Sequence, residues 1–193
     1  MWSRRKALVT VGAAVGASAA GVLLWRGLRY PPDTAPDGAY LRIAHLVSRG
    51  QHLTVFSYLE DAAQHACFTV RDYRKKSLEL VRSAYPEQAR EPLSSELQPY
   101  ATAPDGSDVW LLMAEERGYI ARLRKDLSGV SEVSVADERE TVVTARGTRY
   151  PFRKRQNGMW GITIFTEELV SEAERAARER AVAGAAAAAY AAT

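Results

Sequence analysis

Apolar positions along this chain fall into three regimes: one continuous run near the amino terminus, a long middle where they recur every three or four residues, and a shorter stretch where they alternate. The continuous run covers residues 7–25, holds no charged side chain, and lies between Arg4, Arg5 and Lys6 on one side and Arg26 and Arg29 on the other. At ~1.5 Å rise per helical residue, a run of this length reaches across a hydrocarbon core of ~30 Å. Gly12, Gly16, Ser18 and Gly21 dilute its leucines and valines, and Trp25 at its end suits a membrane interface. The expectation is an uncleaved membrane helix. The alternative is a removed signal segment, because Ala17-Ser18-Ala19 has the small residues of a processing site. The paired Arg4-Arg5 before a weakly apolar stretch also partly fits a twin-arginine export signal, with Ala7 where an aromatic residue is usual. In every version the basic flank keeps the amino terminus cytoplasmic. The protein is then membrane-anchored with its C-terminal domain outside the cytoplasm, on the periplasmic side in a bacterium, or exported and soluble after cleavage.

Pro31-Pro32 and Pro36-Asp37-Gly38 punctuate a short polar stretch, so residues 31–36 read as a linker and 37–165 as the domain. Tyr40, Ile43, Ala44 and Val47 recur at helical spacing, with Asp37 expected as cap and Gly50 as stop. A second helical stripe runs from Val55 through Tyr58, Leu59, Ala62, Ala63, Ala66 and Val70 and continues over Tyr73, Leu78, Val81 and Tyr85 until Pro86 ends it. Pro86, Pro92, Pro99 and Pro104 make residues 87–107 read as an ordered loop with about one helical turn. Asp108 is then expected to cap a helix carrying Val109, Leu112 and Met113, bent near Gly118 before Ile120, Leu123 and Leu127.

After Gly129 alternation takes over. Val133 and Val135 share a face, then Val143 and Ala145, then Tyr150, Phe152 and Lys154, then Trp160, Ile162 and Ile164. Asn157-Gly158 is the signal for a type I′ hairpin, and Pro151 calls for an edge position or an outward-facing nitrogen. Residues 166–193 return to an Ala-rich helix whose low-complexity end is expected to fray. Helical stripes followed by an antiparallel meander must cover one another's apolar faces, which makes the fold class α+β: N-terminal helices on a curved antiparallel sheet.

Tyr40-Leu41-Arg42-Ile43 on a first helix, the long second helix, and Thr148-Arg149-Tyr150-Pro151-Phe152-Arg153 leading through Asn157-Gly158 to Met159-Trp160-Gly161-Ile162 carry a family resemblance. Over about residues 37–165 the chain resembles the cone-fold superfamily named after nuclear transport factor two, which includes ketosteroid isomerase. The resemblance implies a sheet wrapped over helices to enclose a pocket, and it implies no particular chemistry. Glu132 and Glu140 are the acids near strand ends, neither matches the isomerase's paired tyrosine and protonated acid, and no catalytic residue carries over.

Charge alters the picture in one respect. The formal net charge is +3, but the first thirty residues hold five of the 26 Lys and Arg and none of the 23 Asp and Glu. The remaining chain, 21 basic against 23 acidic, is close to neutral and loses the compositional footprint of a nucleic-acid binder. Cys67 is the single cysteine, so no intrachain disulfide and no cysteine-based zinc site can form. His45, His52 and His65 have no metal-ligand spacing, and no metal or cofactor is expected.

Asp61 and His65, four apart on one helical face, are the candidate pocket pair, since a carboxylate there can orient an imidazole. Arg149, Arg153 and Arg155 share a face in alternation and form a candidate anion patch, although a solvated outer face with edge-protecting charges is the favoured explanation. Ser57, Ser77 and Cys67 lack the base and orienting group of an activated nucleophile. The functional expectation is a noncatalytic, membrane-tethered binding domain. Its partners are the lipid bilayer through residues 7–25 and either an envelope protein or a small apolar ligand. A small pocket enzyme of isomerase or dehydratase type, using acid–base residues, is the alternative.

Overall fold

The first element among the described residues, α1 (Pro36–Ser48), starts with proline in its first turn, where a missing N–H costs nothing, so the cap is Ala35 and not Asp37. Asp37 instead accepts the Gly38 N–H at 2.9 Å. The computed structural model describes residues 31–136 and 139–192. The expected membrane segment lies outside the described residues, and among those described no helix is long and apolar enough to cross a membrane. Residues from Asp33 onward form one unit. The expected linker is partly bound into it, because the Trp160 indole donates to Thr34 O at 3.1 Å and the Tyr58 hydroxyl to Asp33 Oδ2 at 3.0 Å.

The expected second helix is broken. A short α2 (His52–Val55) and a 3₁₀ turn (Phe56–Tyr58) come first, the backbone is extended at Leu59 and Glu60, and α3 (Asp61–Ala84) follows with 24 residues. The break has a tertiary cause: Leu59 bridges Ile162 in parallel, and Glu60 N–H donates to Ile162 O at 3.3 Å. This segment passes so close that a Cβ at Gly161 would lie 2.6 Å from Glu60 Cα, so only glycine fits there. Tyr85, extended before Pro86, ends α3 as expected.

The proline-rich stretch is not a loop. It forms α4 (Glu87–Ala101), 15 residues with Pro92 and Pro99 inside. Each proline forfeits one helical hydrogen bond. Ala89, Leu93, Leu97 and Ala101, four apart, nevertheless lay one apolar stripe against Leu78 and Val81 of α3, and packing of such a stripe outweighs local punctuation. Next comes α5 (Gly106–Glu116), capped by Asp105, while Asp108 closes the reciprocal half of a capping box at the third helical position. Gly118 then separates it from α6 (Tyr119–Asp126).

Four strands, β1 (Val130–Ala136), β2 (Arg139–Thr144), β3 (Arg149–Lys154) and β4 (Trp160–Ile162), form an antiparallel sheet in sequence order. Val142 pairs with Tyr150, and the buried face of β2 is Val142 and Thr144. The expected Val143 and Ala145 face is therefore off by one, a one-residue slip that two adjacent valines leave undecided locally. Pro151 sits on an interior strand. Its carbonyl accepts from Thr163 N–H at 3.0 Å, so its nitrogen faces the same side, just past the end of β4 pairing where little is lost. The hairpin turn is wider than expected: Gly158 N–H donates to Arg155 O at 3.0 Å, placing Gln156 and Asn157 at the centre. Gly158, at φ +81°, takes the left-handed position of a three-residue loop.

The final helix, α7 (Thr166–Ala191), runs unbroken for 26 residues. Its Ala-rich end holds helical form through Ala191, with Ala187 buried against the far end of α3. The described residues make a mixed helix and sheet protein in which helix predominates. Two cores result. One lies between the inner sheet face, α1, α5, α6 and the start of α3 and α7, where Tyr40, Trp110, Tyr119, Phe152 and Phe165 are buried; Trp160 and Ile162 join it, and Ile164 is only partly buried. The other is smaller and joins the distal parts of α3, α4 and α7.

Candidate binding groove

In the distal half, α3 is flanked by α4 and α7, and a groove of about 330 Å³ remains over it. Ser77, Val81 and Tyr85 form its floor, Leu93 and Leu97 one wall, and Val182 and Ala183 the other. The Tyr85 hydroxyl donates to Ala183 O at 3.1 Å, and the Tyr85 ring meets Tyr190 edge-on at 5.1 Å, which seats the end of α7 on α3. Val182 is 69% exposed despite lining the groove, so the apolar wall opens directly to solvent.

One end of the groove is ionic. Glu172 of α7, 7% exposed, accepts from Arg74 of α3 at 3.3 Å, from Arg117 after α5, and from Arg175 one turn along its own helix. Arg74 also donates to Glu179, and Arg175 lies 3.8 Å from Glu179. Burial works to raise the Glu172 carboxyl, but hydrogen bonds from Arg175 and Arg117 and their charges outweigh it and hold it below the usual glutamate value. Arg178 at the mouth is 3.7 Å from Glu174, both side chains about two-thirds exposed. Arg74 Nε is buried without a partner among the described residues.

The sequence-derived candidates lie elsewhere. Asp61 starts α3, and its carboxylate is held by Arg155 Nε at 2.7 Å and Gln156 N–H at 3.3 Å. Burial works to raise that carboxyl, but the Arg155 and Gln156 hydrogen bonds and the Arg155 charge outweigh it and hold it below the usual aspartate value, so it stays ionised. His65 is exposed on the same helix, and the contacts that fix Asp61 come from the hairpin, not from the imidazole. The three arginines do not make one surface: Arg155 closes on Asp61, Ser57 O and Gln64, Arg153 pairs with buried Glu60 at 3.1 Å, and Arg149 is exposed. Arg139, across the ladder from Arg153, shares with Glu140 and Thr163 a cavity of about 180 Å³. Burial, then the charge of Asp37, pushes the Glu140 carboxyl up. Cys67 is fully buried and burial pushes its thiol up to about 12, which makes it an inert core residue. Among the described residues no group of His, Cys, Asp and Glu is placed to hold a metal ion.

Sequence reasoning missed the groove because its residues come from three helices, one of which reads as loop. The Arg74, Glu172, Arg175, Glu179 set carried a faint signal in the three- and four-residue spacing along α7, which is also that of ordinary helix decoration. Comparison of the chain with protein-family models, curated proteins and solved structures finds no match.

Proposed function

We propose that this chain is a noncatalytic binding domain, tethered to a membrane by residues 7–25 and facing away from the cytoplasm, with the groove over α3 as its binding face. The carrying observation is that groove: about 330 Å³, with an apolar strip of Val81, Leu93, Leu97 and Val182 and charged side chains at one end. Its size falls at the lower end of the ~300–1,000 Å³ of ligand sites, whereas the ~180 Å³ cavity beside Glu140 falls below it. Asp61, fixed as an ionised partner of Arg155, is poorly disposed to exchange protons, which supports binding over acid–base chemistry. The uncharged run and its basic flank support the tether. Kinship with the cone-fold superfamily remains part of the proposal for the sheet-backed half alone.

Two measurements test it. Alkaline extraction should leave the full chain in the membrane, and protease added outside should digest the domain; soluble protein beginning near Ala20 would remove the tether from the reading. In a deletion strain, Val182→Trp, which narrows the groove from its exposed wall, should abolish complementation at unchanged melting temperature, while Asp61→Asn and His65→Ala should complement fully. Loss of function in either of the latter, with folding intact, would make the protein an enzyme.

A further inference from the structure

The tether proposed above brings a bilayer beside this domain, and the cations of the sheet-backed half mark a face that suits it. Arg74, Arg117, Arg153, Arg155 and Arg175, which join elements across the fold, each hold a carboxylate. Arg49, Arg124, Lys125 and Arg146 do not: all four are exposed, and among the described residues none has a carboxylate within 4 Å. They come from three elements gathered at one end. Arg49 caps α1, Arg124 and Lys125 lie in the last turn of α6, and Arg146 sits in the turn between β2 and β3. Arg124 lies 3.4 Å from the ring of His52, which follows Arg49 closely in the chain, and the Arg146 guanidinium donates to Lys125 O at 2.6 Å. The Tyr40 hydroxyl donates to Ser128 O at 2.8 Å and fastens the end of α6 to α1. Asp126 stands among these cations, since its charge and that of Arg146 act in opposite directions on the Tyr40 hydroxyl. The carbonyl ends of α1 and α6 each add about half a negative charge. Four cations against Asp126 and two helix ends still leave a positive surface. Arg42, on the same side of α1 as Arg49, extends it and is offset by Asp33, both charges reaching Tyr58.

Leu53 supplies the other half of the chemistry. It is 43% exposed and directly follows His52, so it stands at the rim of the cationic cluster. In a headgroup layer, phosphates meet the cations and an exposed leucine reaches the acyl boundary. A soluble polyanion would use the cations alone and leave Leu53 in water. Chain length keeps the surface near a bilayer. The stretch from Trp25, where the uncharged run ends, to Asp33 spans at most ~28 Å when fully extended. Asp33 and Thr34 are held to the domain by Tyr58 and Trp160, so the tether gains no further reach from them. A link this short gives an effective concentration on the order of millimolar, enough for a contact too weak to form from free solution. We propose that the surface of Arg49, His52, Leu53, Arg124, Lys125 and Arg146 docks on anionic lipid headgroups of the bilayer that holds the tether.

The test uses the full chain in lipid nanodiscs of phosphatidylcholine, alone or with about one-third phosphatidylglycerol, with amide hydrogen exchange read peptide by peptide. Anionic discs should slow exchange over residues 49–54 and 121–127, and high salt should remove the effect. Arg49→Gln with Arg124→Gln, which keeps long polar side chains, should lower the ratio of docked to free domain roughly 25-fold, about fivefold for each cation. Lys75→Gln with Arg180→Gln, the same charge change at exposed positions of α3 and α7, should leave the ratio unaltered. Leu53→Ser should weaken protection in anionic discs. If inorganic polyphosphate protects the same segments in phosphatidylcholine discs, and Leu53→Ser changes nothing in either setting, the surface serves a soluble polyanion and the lipid assignment is wrong. Equal exchange in the two lipid compositions removes the surface while the tether stands. If the chain is recovered soluble and beginning near Ala20, the tether has failed, and flotation of that protein with vesicles of the same two compositions decides the surface: binding that needs phosphatidylglycerol keeps it, and no binding removes it.

Discussion

The two cores of this protein are closed by different means, and the difference explains why one end is sealed and the other open. In the sheet-backed core, Trp110, Tyr119 and Phe165 stack with ring centroids 4.6–5.7 Å apart, and Val142, Tyr150, Phe152 and Ile162 back them from the strands. Large rings in contact on all sides leave little room for a ligand. The distal core has only helices and smaller side chains: Leu78, Val81, Leu97, Ala101 and Ala187, with Tyr85 as its single buried aromatic. Alanines let α7 approach α3 closely, but among the described residues nothing bulky fills the space between α7 and the proline-bearing α4. A groove results from too little side-chain volume. The Glu172 cluster stands between the two cores and joins α3, α5 and α7 electrostatically where packing changes character.

Four substitutions break or sharpen this comparison. Trp110→Ala removes a fully buried indole whose N–H donates to His52 O, and should cost about 3–5 kcal/mol in urea unfolding, lowering helix and strand signals together. If the distal helices keep their own melting transition in that variant, the two cores are independent folding units. Glu172→Gln should cost about 2–3 kcal/mol, less than a fully buried pair because Arg175 is 54% exposed. The same residue has a pH signature. Its folded carboxyl lies below the ordinary value of 4.5, so its contribution is complete above that value and is lost as pH falls through the folded one. Acid titration by circular dichroism should therefore show loosening below about pH 4.5 that is reduced in Glu172→Gln. An unchanged acid limb would make the cluster ornamental.

Leu97→Ala should cost about 2 kcal/mol, at the low end for leucine, since a residue beside a groove relaxes more easily than one in a sealed core. Its effect on hydrogen exchange should be confined to α4 and the end of α7, leaving the sheet unaltered. Val182→Ser should change stability by less than about 0.5 kcal/mol, because the side chain is 69% exposed. A larger loss would mean that the mouth of the groove is closed in solution.

Much of the fold was legible because it is written locally. Pro86 ends α3 through the sterics of the preceding residue, Gly50 and Gly118 separate helices, and Trp160 and Ile162 alternate into the core. The candidate site was hardly legible at all. Arg74 and Glu172 are 98 residues apart, and nothing near either one announces the other. Arg153 and Arg155 read as a free basic face because their acids, Glu60 and Asp61, lie on a different element.

The sequence by itself determined the order of helical and alternating segments, the α+β division of the chain, the hairpin near Gly158 and the near-neutral charge beyond residue 30, all of which depend on neighbours within a few positions. Tertiary structure decided that residues 87–101 are helical despite two prolines, that the chain breaks at Leu59 and Glu60 to meet β4, and that Val142 rather than Val143 faces inward. In each case a long-range contact of a buried stripe or a strand partner outweighs a local preference of about one kcal/mol per residue, or about three for a proline inside a helix, so the outcome belongs to the assembled fold.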